Sequence, residues 1–237
     1  DVVEISKAVL EASSEFRDWN YDSVHDPRTN VIIGDGRNHL LMTRKKYDVI
    51  ISEPSNPWIA GIAALFTKEF FLSARDRLAP KGLFCCWLQG YNISAQDFKR
   101  VMRTFASVFP NSTMWSTEDR DYLLVGSMSP ILVDLSAMEK RIRKDEVSRD
   151  LARVDVHGAA ELMGHFLMGP RRVLLAAGEG EYHVDDRLQL EYGAPRFLLM
   201  TDFPEIFKDV LRYWENPRAV IRTGRKEWPE GFAEKLD

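Results

Sequence analysis

The run from Tyr47 to Phe71, YDVIISEPSNPWIAGIAALFTKEFF, constrains the fold more than any other stretch. Val49, Ile50 and Ile51 are contiguous and β-branched, and the run is too short for a helix. Such a segment reads as a strand buried on both faces, as in a parallel sheet. It stops at Ser52-Glu53-Pro54-Ser55-Asn56-Pro57-Trp58, where two prolines bar regular structure. A carboxylate, an amide and an indole therefore share one loop. Thr67 then stands where it can cap a helix carrying Lys68, Glu69, Phe70 and Phe71. A polar loop off the carboxyl end of a buried parallel strand is where open α/β sheets bind ligands.

The flanking segments repeat this alternation. Val2 to Ile5 is a short strand, and Ser6 caps a helix over Lys7 to Phe16. Thr29 to Ile33 is a second strand, ending at Gly34-Asp35-Gly36, and a short helix over Asn38 to Thr43 follows. Phe66 to Leu78 reads as a helix closed by Pro80-Lys81-Gly82, and Leu83 to Leu88 as an apolar strand. Ser94 caps a helix over Ala95 to Phe109, whose Phe98, Val101, Met102, Phe105 and Val108 share one face. Ser112 to Trp115 and Tyr122 to Gly126 form an antiparallel pair around a charged turn. Strands alternating with helices predict an α/β fold with a mostly parallel sheet and right-handed crossovers. After Pro130 the pattern turns helical, over Leu135 to Arg143, Ala159 to Met168, Pro170 to Ala177 and Phe203 to Trp214. The expected division is a core over residues 1–130 and a mainly helical extension over 131–237, with the last twenty residues loosely held.

Composition excludes several functions. A net charge of −4 with interspersed signs leaves no basic face for nucleic acid. No apolar run approaches the roughly 20 residues of a membrane span. Cys85 and Cys86 are adjacent on a strand and point to opposite faces, so they read as core thiols of a reduced, cytoplasmic protein. No metal-ligand spacing surrounds them.

Three acids end three successive strands: Glu4, Asp35 and Glu53. One strand-end acid is commonly a solvated loop residue, but three in succession point to a nucleoside site on the sheet rim. Glu4 suits a ribose diol, Asp35 an adenine amino group, and Glu53 the reacting centre. The glycines around Asp35 let backbone approach a ring closely. Such a site ordinarily has a Gly-rich turn after the first strand, and none precedes Glu4, so the first strand and its glycine loop are expected to lie ahead of Asp1.

The order VVEIS, VIIGDGRNHL, YDVIISEPSNPW, ALFTKEFF, GLFCCWLQG, TFASVFP resembles the spermidine synthase (polyamine aminopropyltransferase) family, over roughly Asp1 to Ser127. The resemblance is nearest to spermidine-synthase-like domains of larger bacterial proteins, some with membrane segments, so the chain is alternatively the cytoplasmic domain of a membrane protein. It implies a Rossmann-like core of the S-adenosylmethionine-dependent methyltransferase type. The implied donor is decarboxylated S-adenosylmethionine, the implied acceptor a small amine such as putrescine, and the implied assembly a dimer or tetramer, with no metal. Carried over by position, Glu4 matches the ribose-binding acid, and Asp35 with Gly36 the adenine-binding pair. Ile62 and Ala63 fall where backbone lines the adenine pocket. Glu53 matches the catalytic aspartate. Asn56 matches a second aspartate that holds the amine, and Gln89 a substrate-contacting glutamine.

Two departures bear on chemistry. The family's Asp-Ser-Ser/Thr-Asp-Pro is Glu53-Pro54-Ser55-Asn56-Pro57 here. The first change keeps a carboxylate on a longer arm, and the second removes a charge. A diamine is doubly protonated near neutral pH and favours a carboxylate at each end. One amine must also lose a proton before it attacks, and a partly desolvated Glu53 can take it. Trp58 reads as packing, with a cation lying over its ring as the alternative. The cluster His183, Asp185, Asp186, Glu191, Tyr192 reads as a solvated charged turn before a strand, and could instead supply a carboxylate, or Tyr192, to the amine. Two other functions stay open: an S-adenosylmethionine-dependent N-methyltransferase, for which Asn56-Pro57-Trp58 resembles the Asn-Pro-Pro-aromatic loop without its second proline, and a non-catalytic nucleoside-binding module.

Overall fold

The structure, a computed structural model, describes residues 1–118, 120–197 and 203–221. The stretch 222–237, where the sequence predicts a loosely held tail, lies outside the described residues. The chain divides into two compact units, Asp1–Lys46 and Tyr47–Asp237.

In the first unit, β1 (Val2–Glu4) leads through helices α1 (Lys7–Ala12) and α2 (Arg17–Asn20) to β2 (Val31–Ile33) and α3 (Gly36–Met42). The two strands pair in parallel, Val2 with Val31 and Glu4 with Ile33. The expected Ser6 cap is absent: its side chain makes no capping bond, and its backbone N–H donates to Glu4 Oε1 at 2.7 Å. Asp35 caps α3, accepting from Asn38 N at 2.7 Å.

The second unit holds a five-stranded sheet ordered β3–β4–β6–β5–β7. These are β3 (Tyr47–Ser52), β4 (Leu78–Gln89), β5 (Asn111–Glu118), β6 (Asp121–Ser127) and β7 (Phe166–Met168). The sheet is mixed: β3 and β4 are parallel, and the ladders of β6 and β5 and of β7 are antiparallel. Between strands lie α4 (Lys68–Arg75), α5 (Ala95–Val108), α6 (Leu135–Ile142), α7 (Asp145–Ala152) and α8 (Ala159–Gly164). After β7 come α9 (Pro170–Ala177), α10 (Gln189–Gly193) and α11 (Phe203–Arg212). Thr67 and Ser94 cap α4 and α5 as predicted, accepting from Phe70 N and Asp97 N.

Three expectations change. The strand read as buried on both faces is an edge strand, with Val49 53% and Ile51 71% exposed. Ile50, opposite Phe84 in the ladder, takes the inward side. The helix expected over Phe66 to Leu78 is a 3₁₀ turn (Ile62–Phe66) followed by α4, and β4 already begins at Leu78. The chain stays in the strand through Pro80-Lys81-Gly82 because Lys81 adopts φ 66° and the register shifts there. A Cβ on Gly82 would lie 2.9 Å from Ala79 O, so only glycine fits. Thirdly, α8 ends at Gly164, and Phe166 and Met168 form an edge strand against β5. Their alternation buries both, Phe166 edge-on to Trp115 at 5.2 Å.

The core lies between β4 and helices α4 and α5. Phe84 meets Phe71, Phe105 and Phe109 at ring-centroid distances of 5.8, 5.9 and 5.3 Å. All four rings are fully buried. Gly126, beside Phe84 in the β4–β6 ladder, leaves room for them: a Cβ there would lie 2.6 Å from Phe109. A second cluster joins Leu135, Ile142, Ala159, Met163 and Phe166 to Val220 and Ile221. Replacing Phe84 with Ala should cost about 3–5 kcal/mol, because the surrounding rings cannot collapse into the space. Urea unfolding followed by tryptophan fluorescence reads this as a lowered midpoint at constant slope.

Candidate active site

In the first unit, parallel pairing brings Glu4 and the β2–α3 turn to one carboxyl edge. Glu4 is half-buried and Asp35 exposed. Each carboxylate already holds one backbone N–H, of Ser6 and of Asn38 respectively. Asp35 thus serves as a helix cap whatever else it does. No atom lies within 4 Å of a Cβ placed on Gly34 or Gly36, so the space above this turn is open. Two carboxylates beside open backbone fit a ribose-and-base ligand.

In the second unit, the loop after β3 packs on the end of β4. Pro54 and Pro57 are buried and hold the loop down, which leaves Glu53 exposed and Asn56 half-buried. Asn56 Nδ2 donates to Gln89 Oε1 at 3.2 Å and to the Tyr91 hydroxyl at 3.4 Å. Gln89 closes β4 and is wholly buried, yet its Nε2 has no hydrogen-bond partner. Trp58 stands edge-on to Tyr91, centroids 6.5 Å apart at 63°. Trp58 therefore packs on a ring, as the sequence favours. Sequence reasoning did not single out Tyr91. Its signal was position: it follows Gln89 and Gly90, where a Cβ would lie 2.7 Å from the Tyr122 ring and only glycine fits.

Glu53 acts on the sheet through its charge, which bears on Cys85. Burial, and then the Glu53 carboxylate, push the Cys85 thiol up to about 11. Burial likewise raises Cys86. Both thiols stay protonated near neutrality and serve the core.

The turn that holds Ile62 and Ala63 is held from a distant segment of the chain. Ile62 is half-buried and Ala63 fully buried. The Ala63 carbonyl accepts from His183 Nε2 at 3.0 Å. His183 is fully buried, its N–H donates to Thr104 Oγ1 at 2.8 Å, and its carbonyl accepts from Lys68 N at 2.9 Å. Asp185 N donates to Glu69 Oε2 at 3.0 Å. The expected solvated turn before a strand is thus a packed strap before a helix, α10. The reason is that the backbone amides of 183 and 185 find partners on α4 and α5, which local sequence does not show. Tyr192 lies on α10, 74% exposed. Among the described residues, the side-chain hydrogen bonds and ring contacts of Asn56, Trp58 and Gln89 run to one another and to Tyr91, and not to Tyr192. Nor do the described residues contain a group of three or more His, Cys, Asp or Glu arranged around a metal ion. None of their helices is long and apolar enough to cross a membrane.

The first unit is thus a parallel strand pair ending in acids, and the second a mixed sheet with a Pro-braced polar loop over a strand end. Residues 1–125 match the spermine/spermidine synthase domain, more than half of the chain, and the chain belongs to that family. It is 36% identical over 135 residues to a polyamine aminopropyltransferase of Thermococcus kodakarensis, covering 54% of this chain and 45% of the relative. It is 28% identical over 120 residues to putrescine N-methyltransferase 2 of Nicotiana tabacum, covering 49% and 34%. The chain thus spans less than half the length of these relatives. A probable spermidine synthase from Corynebacterium glutamicum superposes with TM-score 0.52 at 20% identity, over 78% of this chain and 62% of that one. A spermidine synthase in complex with the transition state analogue AdoDATO superposes with TM-score 0.51 at 22% identity, over 65% and 57%. These structural likenesses bear on the fold.

Burial lowers the proton affinity of His183 below its ordinary 6.5, and the neighbouring Arg100 adds to this against the Ala63, Asp97 and Asp185 contributions. The unfolded chain therefore binds more protons than the folded one as the pH drops through 6.5. The stability carried by neutral His183 is complete above that value and lost below it. Thermal melting should fall between about pH 7.5 and pH 5.5, and fall less in His183→Gln, which keeps a donor for Ala63 without titrating.

Proposed function

We propose that this chain carries the aminopropyl-transfer centre of a spermidine synthase-like enzyme, with decarboxylated S-adenosylmethionine as donor and a small amine as acceptor. The observation that carries this is the loop after β3, which bears an exposed Glu53 carboxylate and, three residues on, docks Asn56 on Gln89 and Tyr91 at the end of β4. The family membership supports this reading, since aminopropyltransferases and spermidine synthases are among the relatives. Glu4, Asp35 and Gly36 would hold the nucleoside, and Ile62 with Ala63 would wall it. The core over 1–130 would carry the chemistry, with 131–237 as its helical brace.

The chemistry follows from charge. The acceptor nitrogen arrives protonated and has no lone pair to attack with. Glu53 takes that proton. The nitrogen then forms a bond to the propyl carbon next to the sulfonium, and the carbon–sulfur bond breaks. The electron pair stays on sulfur and neutralises it, and methylthioadenosine leaves. Nothing covalent is asked of the protein, so the remaining rate comes from alignment of nitrogen, carbon and sulfur. A second reading, methyl transfer to an amine from S-adenosylmethionine, is favoured by the putrescine N-methyltransferase relatives.

The nucleoside released decides between them. With the decarboxylated donor the product expected is methylthioadenosine, and Glu53→Gln should lower kcat/KM by about 10²–10⁴-fold. Adenosylhomocysteine formed from the carboxylated donor, with the decarboxylated donor inert, would replace this reading by methyl transfer.

A further inference from the structure

The strand-end network is composed of neutral groups, and its hydrogen-bond accounting leaves donors over. Asn56 spends its amide hydrogens on Gln89 Oε1 and on the Tyr91 oxygen. Gln89 therefore has its oxygen occupied and its Nε2 unpartnered, in a side chain with no exposure at all. Tyr91, whose oxygen accepts from Asn56, keeps its own O–H to give. One network thus holds two spare donors, a buried amide N–H and a phenolic O–H. A buried donor without an acceptor is costly, and the group that relieves it must be an acceptor.

An ammonium group carries three donors and no acceptor. It cannot satisfy Gln89 Nε2, and it would meet here the amide of Asn56 rather than a carboxylate. A hydroxyl or carbonyl oxygen can accept from both spare donors at once. Trp58, edge-on to Tyr91, adds apolar surface alongside, which suits a short methylene chain. The carboxylate that the sheet register brings near is Asp121, opposite Gln89 in the β4–β6 ladder.

We propose that this site selects an amine whose far end is a neutral oxygen acceptor, an amino alcohol in chemical class, over the linear diamine of equal length. The inference rests on the aminopropyl-transfer reading: the nitrogen end is deprotonated and alkylated at Glu53, and the oxygen end is held by Gln89 and Tyr91 without reacting. Asn56 is the specificity determinant, because in this structure its Nδ2 meets the oxygen of Gln89 and the nitrogen is left for the ligand. A carboxylate at position 56 would accept from Gln89 instead, present an anion to the acceptor, and favour a second ammonium.

The test compares 4-amino-1-butanol with 1,4-diaminobutane as acceptors for the full-length protein, given the decarboxylated donor. Methylthioadenosine and the mass of the aminopropylated product are both followed. The amino alcohol should be used at least ~10-fold better in kcat/KM, since a site built to bond an oxygen rejects an analogue that leaves its polar groups unpaired. Asn56→Asp, near-isosteric and checked for native melting, should reverse the preference towards the diamine. Tyr91→Phe should weaken use of the amino alcohol more than that of the diamine. A wild-type preference for the diamine would overturn the inference, and would mean that the Gln89 amide is turned round to offer its oxygen. So would an Asn56→Asp protein with an unchanged ratio, or a diamine activity that vanishes in Asp121→Asn. If no aminopropylated product forms, the transfer reading falls. The acceptor inference is then decided by the thermal stabilisation that each amine gives in the presence of methylthioadenosine: a larger shift with the amino alcohol upholds it, and an equal or larger shift with the diamine overturns it.

Discussion

The structure of the larger unit depends on one strand, β4, and on the rings stacked against it. β4 pairs with β3 on one side and β6 on the other, so it aligns the parallel and antiparallel halves of the sheet. Phe84, near its middle, lies under Phe71 of α4 and Phe105 of α5, with Phe109 beyond the end of α5. These contacts fix both helices against the same strand that ends in Gln89. Rings at this spacing interdigitate and do not slide, so the direction of β4 is passed to the loop that packs on its end. The polar cluster is therefore set by apolar packing along the strand that ends in it. The bareness of Gly126 belongs to the same arrangement, because the rings fill the volume that any side chain there would need.

What the sequence revealed followed local rules. Apolar alternation and the caps at Thr67 and Ser94 depend on neighbours within a few residues, and those elements lie where expected. The β5–β6 hairpin is likewise local in origin. Several of the errors share a cause, a partner that is far away in the chain. Val49 and Ile51 are apolar enough for a central strand, but a strand's burial is set by what covers it and not by its own composition. Phe166 and Met168 looked like the end of a helix because their strand partner, β5, lies some fifty residues earlier. Pro80-Lys81-Gly82 looked like a stop because a proline, a cation and a glycine rarely lie inside a strand, yet a positive φ at Lys81 and a register shift accommodate them. At the candidate site, the chemistry-bearing residue types were legible. The network was not, because Tyr91 has no charge to attract attention and its role is a hydrogen bond to a loop 35 residues away.

The strap around His183 shows the same effect from the other end of the chain. Read locally, HVDDRLQLEY is charged and suits solvent. In the structure, its backbone supplies polar groups to the starts of two other segments. His183 O meets the first amide of α4, where a helix has orphan donors. The imidazole meets the carbonyl of Ala63 in the preceding turn. The turn of Ala63 is thus tied to a residue 120 positions away, which couples the segment before α10 to the approach to α4. The buried ring is neutral by necessity. Its Nε2 carries the hydrogen that Ala63 accepts, and a second proton on Nδ1 would be a charge without solvent.

The exchange of a carboxylate for an amide at position 56 has a consequence wider than one lost charge. An aspartate offers acceptors only, so a neighbouring glutamine would turn its nitrogen inward and show the substrate its oxygen. An asparagine offers an acceptor as well as donors; here its donors face the glutamine, which holds its oxygen inward and shows its nitrogen. One substitution therefore inverts the polarity of two side chains, the second of them buried and fixed by β4. Position 56 alone would not show this from charge counting. It follows from the constraint that every hydrogen-bonding group in a buried network must match its neighbour, so the identity at one end decides which group is left over at the other.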